Sequence, residues 1–184
     1  MRVITGSARG RKLKAPEGYD VRPTSDGVKE AIFSAIQFEI EGRTVLDLFA
    51  GSGQLGIEAI SRGAKKAVFV DSSQASIKLI KENVEHVGFE KQAEIINMPN
   101  TAFLRTTRET FDIALLDPPY DRKLIQKSLP ALTSIMSDEG VIVCEHEIEC
   151  RLPEEVNGFV IVKSKKHGKT GLTIYRKPNQ ENEE

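Results

Sequence analysis

Short apolar runs alternate with amphipathic stretches through the middle of this 184-residue chain. Thr44–Phe49 reads as a first strand, followed by a helix from about Gly53 to a stop at Gly63. Ala67–Asp71 is a second strand. Ser72 or Ser73 can cap the next helix, which carries Ile77, Ile80, Val84 and Val87 at helical spacing until Gly88 ends it. Ala93–Asn97 and Phe111–Leu116 are a third and a fourth strand, and Gly140–Glu145 a fifth. Asp121 stands where it can cap a helix that Pro130 kinks or divides. Repeated βα units of this length predict a parallel sheet covered by helices on both faces.

The ends follow other periods. Phe159–Ser164 and Gly171–Arg176 alternate apolar and polar residues around His167-Gly168, the pattern of a terminal hairpin. The first twenty residues are rich in Gly and Arg and suit a short hairpin or arm. A helix begins near Thr24 or Ser25, with Val28, Ala31, Ile32, Ala35 and Ile36 on one face.

Composition narrows the class. Hydrophobic residues at 39% and charged residues at 29% are ordinary for a globular domain. No run approaches the roughly 20 apolar residues of a membrane span, and the N-terminus lacks a signal-peptide core, so a cytoplasmic location is expected. Cys144 lies in an apolar run and reads as a small buried hydrophobe, and neither it nor Cys150 belongs to a cluster with metal-ligand spacing. No metal site is expected. The net charge of −1 hides an uneven distribution. Arg2, Arg9, Arg11, Lys12 and Lys14 precede Pro16 without an acid among them, and Lys163, Lys165, Lys166, Lys169, Arg176 and Lys177 do the same near the other end. Two basic ends on a near-neutral chain point to one positive face that meets a polyanion.

Two segments carry candidate chemistry. Asp117-Pro118-Pro119-Tyr120 follows the apolar run Ile113–Leu116, and two prolines force the chain stiffly out of the sheet. An acceptor carboxylate, fixed carbonyls and an aromatic face then stand at the carboxyl end of a strand, where open α/β sheets bind ligands. Such a cluster can grip a planar group bearing an amine, as a nucleobase does. The second segment, Asp47-Leu48-Phe49-Ala50-Gly51-Ser52-Gly53-Gln54-Leu55-Gly56, holds the G-x-G-x-x-G pattern, with Asp71 ending the second strand 20 residues after Gly51. An acid there can hold a ribose in either NAD or S-adenosylmethionine. Asp47 helps to separate them, because it would repel a pyrophosphate and attract an ammonium and a sulfonium.

At these residues the chain resembles class I, Rossmann-like methyltransferases that modify exocyclic amines. Arg2-Val3-Ile4-Thr5-Gly6, Arg9-Gly10-Arg11-Lys12-Leu13, Arg22-Pro23-Thr24-Ser25-Asp26 and the closing Gly168–Tyr175 run make it similar to the RsmD family, which methylates the guanine N2 amine of bacterial small-subunit (16S) ribosomal RNA. The resemblance implies a seven-stranded, mostly parallel sheet with a C-terminal antiparallel hairpin and S-adenosylmethionine as donor. The implied substrate is ribosomal RNA, in a 30S particle or its precursor, and a monomer is expected. It divides the chain into a basic arm over 1–22 that contacts RNA, a methyltransferase domain over 23–178 and an acidic tail over 179–184 expected to be disordered.

The implied catalytic residues are Asp117, Pro118, Pro119 and Tyr120. Those implied for the donor are Asp47, Phe49, Gly51, Ser52, Gly53, Asp71 and Ser72, with Asn97 or Asn100 at the adenine. Pro99 stands where the family usually carries an acid or amide at that contact. Arg9, Arg11, Lys12, Arg22, Lys165, Lys166 and Lys169 are the candidates for RNA phosphates. Methylation of DNA adenine N6 or of a protein amide, an NAD-linked oxidoreductase and a non-catalytic RNA-binding module are the rival readings.

Overall fold

Side-chain alternation along each strand decides which of two apolar layers a residue joins. The computed structural model describes residues 1–16, 24–119 and 123–178. Along the chain run α1 (Asp26–Ala35), β1 (Thr44–Asp47), α2 (Gln54–Ser61), β2 (Lys66–Asp71), α3 (Gln74–Val87), β3 (Ala93–Asn97), α4 (Asn100–Thr106), β4 (Phe111–Leu116), α5 (Leu124–Thr133), β5 (Met136–Glu147), β6 (Glu155–Val156), β7 (Phe159–His167) and β8 (Thr170–Arg176). They build one eight-stranded sheet in the order β3-β2-β1-β4-β5-β8-β7-β6. The first five strands are mutually parallel, and β8 runs antiparallel between β5 and β7. The neighbours β1 and β4 lie where the order reverses, which opens a crevice at their carboxyl ends.

Val45, Phe69, Ile113 and Val143 point to one face, where they meet α1, α2 and α3. Leu46, Val68, Ala114 and Ile142 point to the other, where Phe103 of α4 and Leu129 and Leu132 of α5 cover them. The N-terminal segment folds back as a hairpin bridged between Arg2 and Lys12, and Val3, Ala8 and Leu13 enter the first layer. Buried Glu58 of α2 fastens it by accepting from the amides of Ile4 (2.7 Å) and Thr5 (3.0 Å).

Several expectations change in detail. The sheet has eight strands rather than seven, because the two-residue β6 adds an edge beside β7. β1 ends at Asp47 rather than Phe49, and β5 extends from Met136 to Glu147. α5 is continuous through Pro130, with Pro130 O accepting from the Thr133 hydroxyl at 3.0 Å. Asp121 and the acidic tail lie outside the described residues. In α1 the buried stripe is Val28, Lys29, Ile32 and Phe33, so a lysine occupies the core face. Cys144 is buried and unpaired, as its apolar run predicts.

Gly56 sets the distance between α2 and the sheet. A Cβ there would stand 2.3 Å from Cε1 of Phe69, a fully buried ring. Gly56→Ala is therefore expected to destabilise the protein by about 1–3 kcal/mol through overpacking. Urea unfolding would report it as a lower midpoint at unchanged slope.

Candidate active site

β1 delivers Asp47 to the floor of the crevice. The next residues are held between the neighbouring strands, with Leu48 N donating to Leu115 O (3.1 Å) and Ala50 N to Val70 O (3.1 Å). The chain then turns through Gly51 and Gly53, at φ +55° and +78°, in the left-handed region where a side chain would be strained. Gly53 caps α2 without a side-chain hydrogen bond.

Two carboxylates shape this turn from inside. Asp71, at the end of β2, accepts from Gly51 N (2.9 Å) through Oδ2 and from Ser73 N (2.8 Å) through Oδ1. Asp47 is 1% exposed, and its Oδ2 accepts from Gly56 N at 2.9 Å while its buried Oδ1 has no hydrogen-bond partner among the described residues. Burial pushes the Asp47 carboxyl up to about 7, against the Gly56 hydrogen bond, and the nearby charges of Asp117 and Asp71 add to the rise.

Asp117 leaves β4 immediately after Leu116, half-buried, and its Oδ2 accepts from the Thr24 hydroxyl at 2.5 Å. Burial raises this carboxyl as well, to about 6, although the Thr24 hydrogen bond opposes the rise. Pro118 is buried and Pro119 exposed, and both line a cavity of about 540 Å³ with Leu124, Gln126, His146 and Glu147. Tyr120 lies outside the described residues.

The other candidates for the donor surround the turn. Phe49 is half-buried against the second apolar layer. Ser52 is buried, with its hydroxyl on Met1 Sδ (3.5 Å) and its carbonyl accepting from Asn83 Nδ2 (2.9 Å). Ser72 is exposed beside Ser73, which caps α3 by accepting from Ser76 N. Asn97 Nδ2 donates to Asp71 O at 3.1 Å, next to the turn. Asn100 is directed elsewhere, since its Nδ2 donates to Ser128 Oγ on α5 at 2.9 Å.

The basic candidates fall into two groups. Register carries the β7–β8 turn to the site: Thr170 pairs with Glu147 and His167, so exposed Lys165, Lys166 and Lys169 lie at the carboxyl end of β5. Arg9 and Arg11, also exposed, occupy the far end of the N-terminal hairpin. There Ser7 N donates to Ser61 O at the end of α2, and Arg11 Nη1 donates to His86 O near the end of α3. They stand a helix length from the strand ends, about 12 Å for eight residues. Lys12 is exposed on the returning arm, and Arg22 lies outside the described residues.

Sequence reasoning missed Thr24 as a site residue. Ser25 caps α1 by accepting from Val28 N, and nothing in the local sequence marks the Thr24 hydroxyl for a distant partner. Asn83, which ties the turn to Lys14 through both its amide atoms, left no signal beyond a polar residue inside an amphipathic helix.

The sequence model of the family described as "Conserved hypothetical protein 95" matches residues 1–176. The Bacillus subtilis (strain 168) protein YlbH is 41% identical over 96% of this chain and 99% of its own length. The Escherichia coli (strain K12) ribosomal RNA small subunit methyltransferase D is 31% identical, over 98% of this chain and 91% of that protein. Among solved structures, the Escherichia coli protein yhhF superposes with a TM-score of 0.86 at 32% identity, covering 97% of this chain and 99% of that one.

The pH behaviour of the site has a definite sign. A carboxyl raised on folding favours the folded state only while protonated, so stability falls as pH climbs from about 4 through about 7. Asp47→Asn keeps an acceptor for Gly56 N and removes the charge. Its melting temperature is expected to exceed the parent's near pH 8 and to converge with it below about pH 4, as thermal melts across that range would register.

Proposed function

The chain belongs to the RsmD family of methyltransferases, and from that premise we propose that it transfers a methyl group from S-adenosylmethionine to the exocyclic N2 amine of a guanine in small-subunit ribosomal RNA. The observation that carries this reading is the acidic pocket around the glycine turn. Asp47 keeps a buried oxygen without a partner among the described residues, and Asp71 and Asp117 add like charge beside it. A ligand bearing an ammonium and a sulfonium relieves that repulsion, whereas a pyrophosphate would intensify it.

The residues present fit the donor. Asp47 faces its cationic end, with Phe49, Gly51, Ser52 and Gly53 as the wall. Asp71, although bonded to two backbone amides, keeps lone pairs for a ribose, and Ser72 stands beside it. Asn97, tied to the Asp71 carbonyl, suits the adenine better than Asn100, which is engaged by Ser128. Held by these residues, S-adenosylmethionine would supply an electrophilic methyl group, its sulfur keeping the electron pair of the C–S bond. Asp117 and the Pro118 carbonyl accept the two N–H bonds of the target amine and turn its lone pair into line. As positive charge develops on nitrogen, Asp117 favours loss of a proton to solvent. Pro119 stiffens the strand exit, and Tyr120 stacks on the extruded base.

Arg9, Arg11, Lys12, Arg22, Lys165, Lys166 and Lys169 take RNA phosphates. Within this reading, residues 1–22 serve as the RNA-contacting arm of a methyltransferase domain over 23–178. The protein works as a cytoplasmic monomer on a 30S particle or its precursor.

Labelled S-adenosylmethionine, incubated with ribosomal particles that lack the modification, is expected to place label in N2-methylguanosine after digestion to nucleosides. Label confined to protein or DNA would sink the reading. Asp117→Ala is expected to slow transfer by about 10²–10⁴-fold. Exchanging Lys165, Lys166 and Lys169 for Gln is expected to flatten the dependence of log affinity on log salt by about 2. Filter binding over a salt series measures that slope.

A further inference from the structure

We propose that Thr24 is a positioning residue for methyl transfer: its hydroxyl holds Oδ2 of Asp117 so that the carboxylate stays an acceptor and presents its other oxygen to the target amine. This rests on the functional reading above and adds to it a residue outside the Asp-Pro-Pro-Tyr segment.

The contact is long-range and specific. Thr24 is 5% exposed and lies 93 residues from Asp117, yet its Oγ1 is 2.5 Å from Oδ2. That is the short spacing of a hydroxyl on an ionised carboxylate. Capping does not account for it, because Ser25 caps α1. Among the described residues, Thr24 is the side chain that donates to Asp117.

The chemistry needs such a donor. A buried carboxyl gains a proton readily, and a protonated Asp117 would present an O–H to an amine that itself offers N–H bonds. A hydroxyl donating to Oδ2 favours the ionised form and fixes which oxygen remains available. The charged surroundings do not supply this alternative. Asp47 on β1 adds like charge. On the cavity side, Lys123, His146, Glu147, Glu149 and Arg151 line the space shared with Pro118 and Pro119, and they carry both signs.

The test is the pH dependence of single-turnover methyl transfer to undermethylated ribosomal particles. Asp117→Asn should flatten the acid limb, which assigns that limb to Asp117. Thr24→Val should move the limb upward by about one pH unit, the rate below the limb falling about tenfold, while the Kd for S-adenosylmethionine stays unchanged. Thr24→Ser should restore the parent profile. If the valine variant does not fold, Thr24→Ala carries the same expectation. An active parent whose Thr24 variant keeps the parental limb, even at reduced rate, overturns the role given to Thr24. A parent that methylates no ribosomal RNA at any pH overturns the functional reading itself.

Discussion

The carboxylate of Asp47 is buried at the point where β1, the glycine turn and α2 meet, and the site is organised around that placement. One oxygen is fixed by the Gly56 amide, which anchors the first turn of α2 to the end of β1. The same glycine lets α2 lie against Phe69, so the helix can approach the sheet and reach the acid. Parallel register then sets the other two carboxylates. Asp47 pairs with Leu115 on one side and with Phe69 on the other, each two residues before Asp117 and Asp71. Three acids thus converge at the strand ends, with no cation among the hydrogen bonds and ion pairs of Asp47, Asp71 and Asp117 in the described residues. Folding pays for that convergence in stability, and a cationic ligand recovers it, the usual trade between a stable fold and a working site.

A second buried charge does a different task. Glu58 and Lys29 are both inaccessible and stand 3.7 Å apart. Glu58 also accepts from Arg62 Nε at 2.8 Å and from the two hairpin amides, while Lys29 donates to Arg2 O. Removing two charges from water is costly, so the cluster is poor support for stability as such. What it supplies is position: a short segment with few apolar residues is held to α1 and α2 in one register. Asn83 completes the attachment by bonding Lys14 and Ser52 together. The N-terminal hairpin is therefore continuous with the glycine turn.

Local pattern made much of this legible. β3 and β4 have the bounds that their apolar runs predict, and the β7–β8 hairpin turns near His167-Gly168 as its alternation requires. The glycine turn and Asp117 fall at neighbouring strand ends because βα repetition leaves few other arrangements. What escaped depends on distant partners. Lys29 breaks the apolar face of α1 and makes sense only beside Glu58, 29 residues later. α4 is seven residues long and lacks a side-chain cap, and β6 has two residues, too few to show a period. Thr24 looked like part of a helix start, because nothing local says that its hydroxyl meets a carboxylate 93 residues away.

Under the proposed function, the placement of the two basic groups bears on the form of the RNA. Antiparallel pairing of β5 with β8 carries Lys165, Lys166 and Lys169 to the end of the sheet that holds Asp117. The hairpin tip with Arg9 and Arg11 lies at the opposite end of α2 and α3. A short single strand entering the crevice would meet the lysines and leave the arginines in solvent. A folded substrate with phosphates at several depths can engage both groups, and recognition of shape rather than sequence is common where RNA is structured. If both groups take phosphates, as proposed above, their separation suits a folded RNA better than a free single strand.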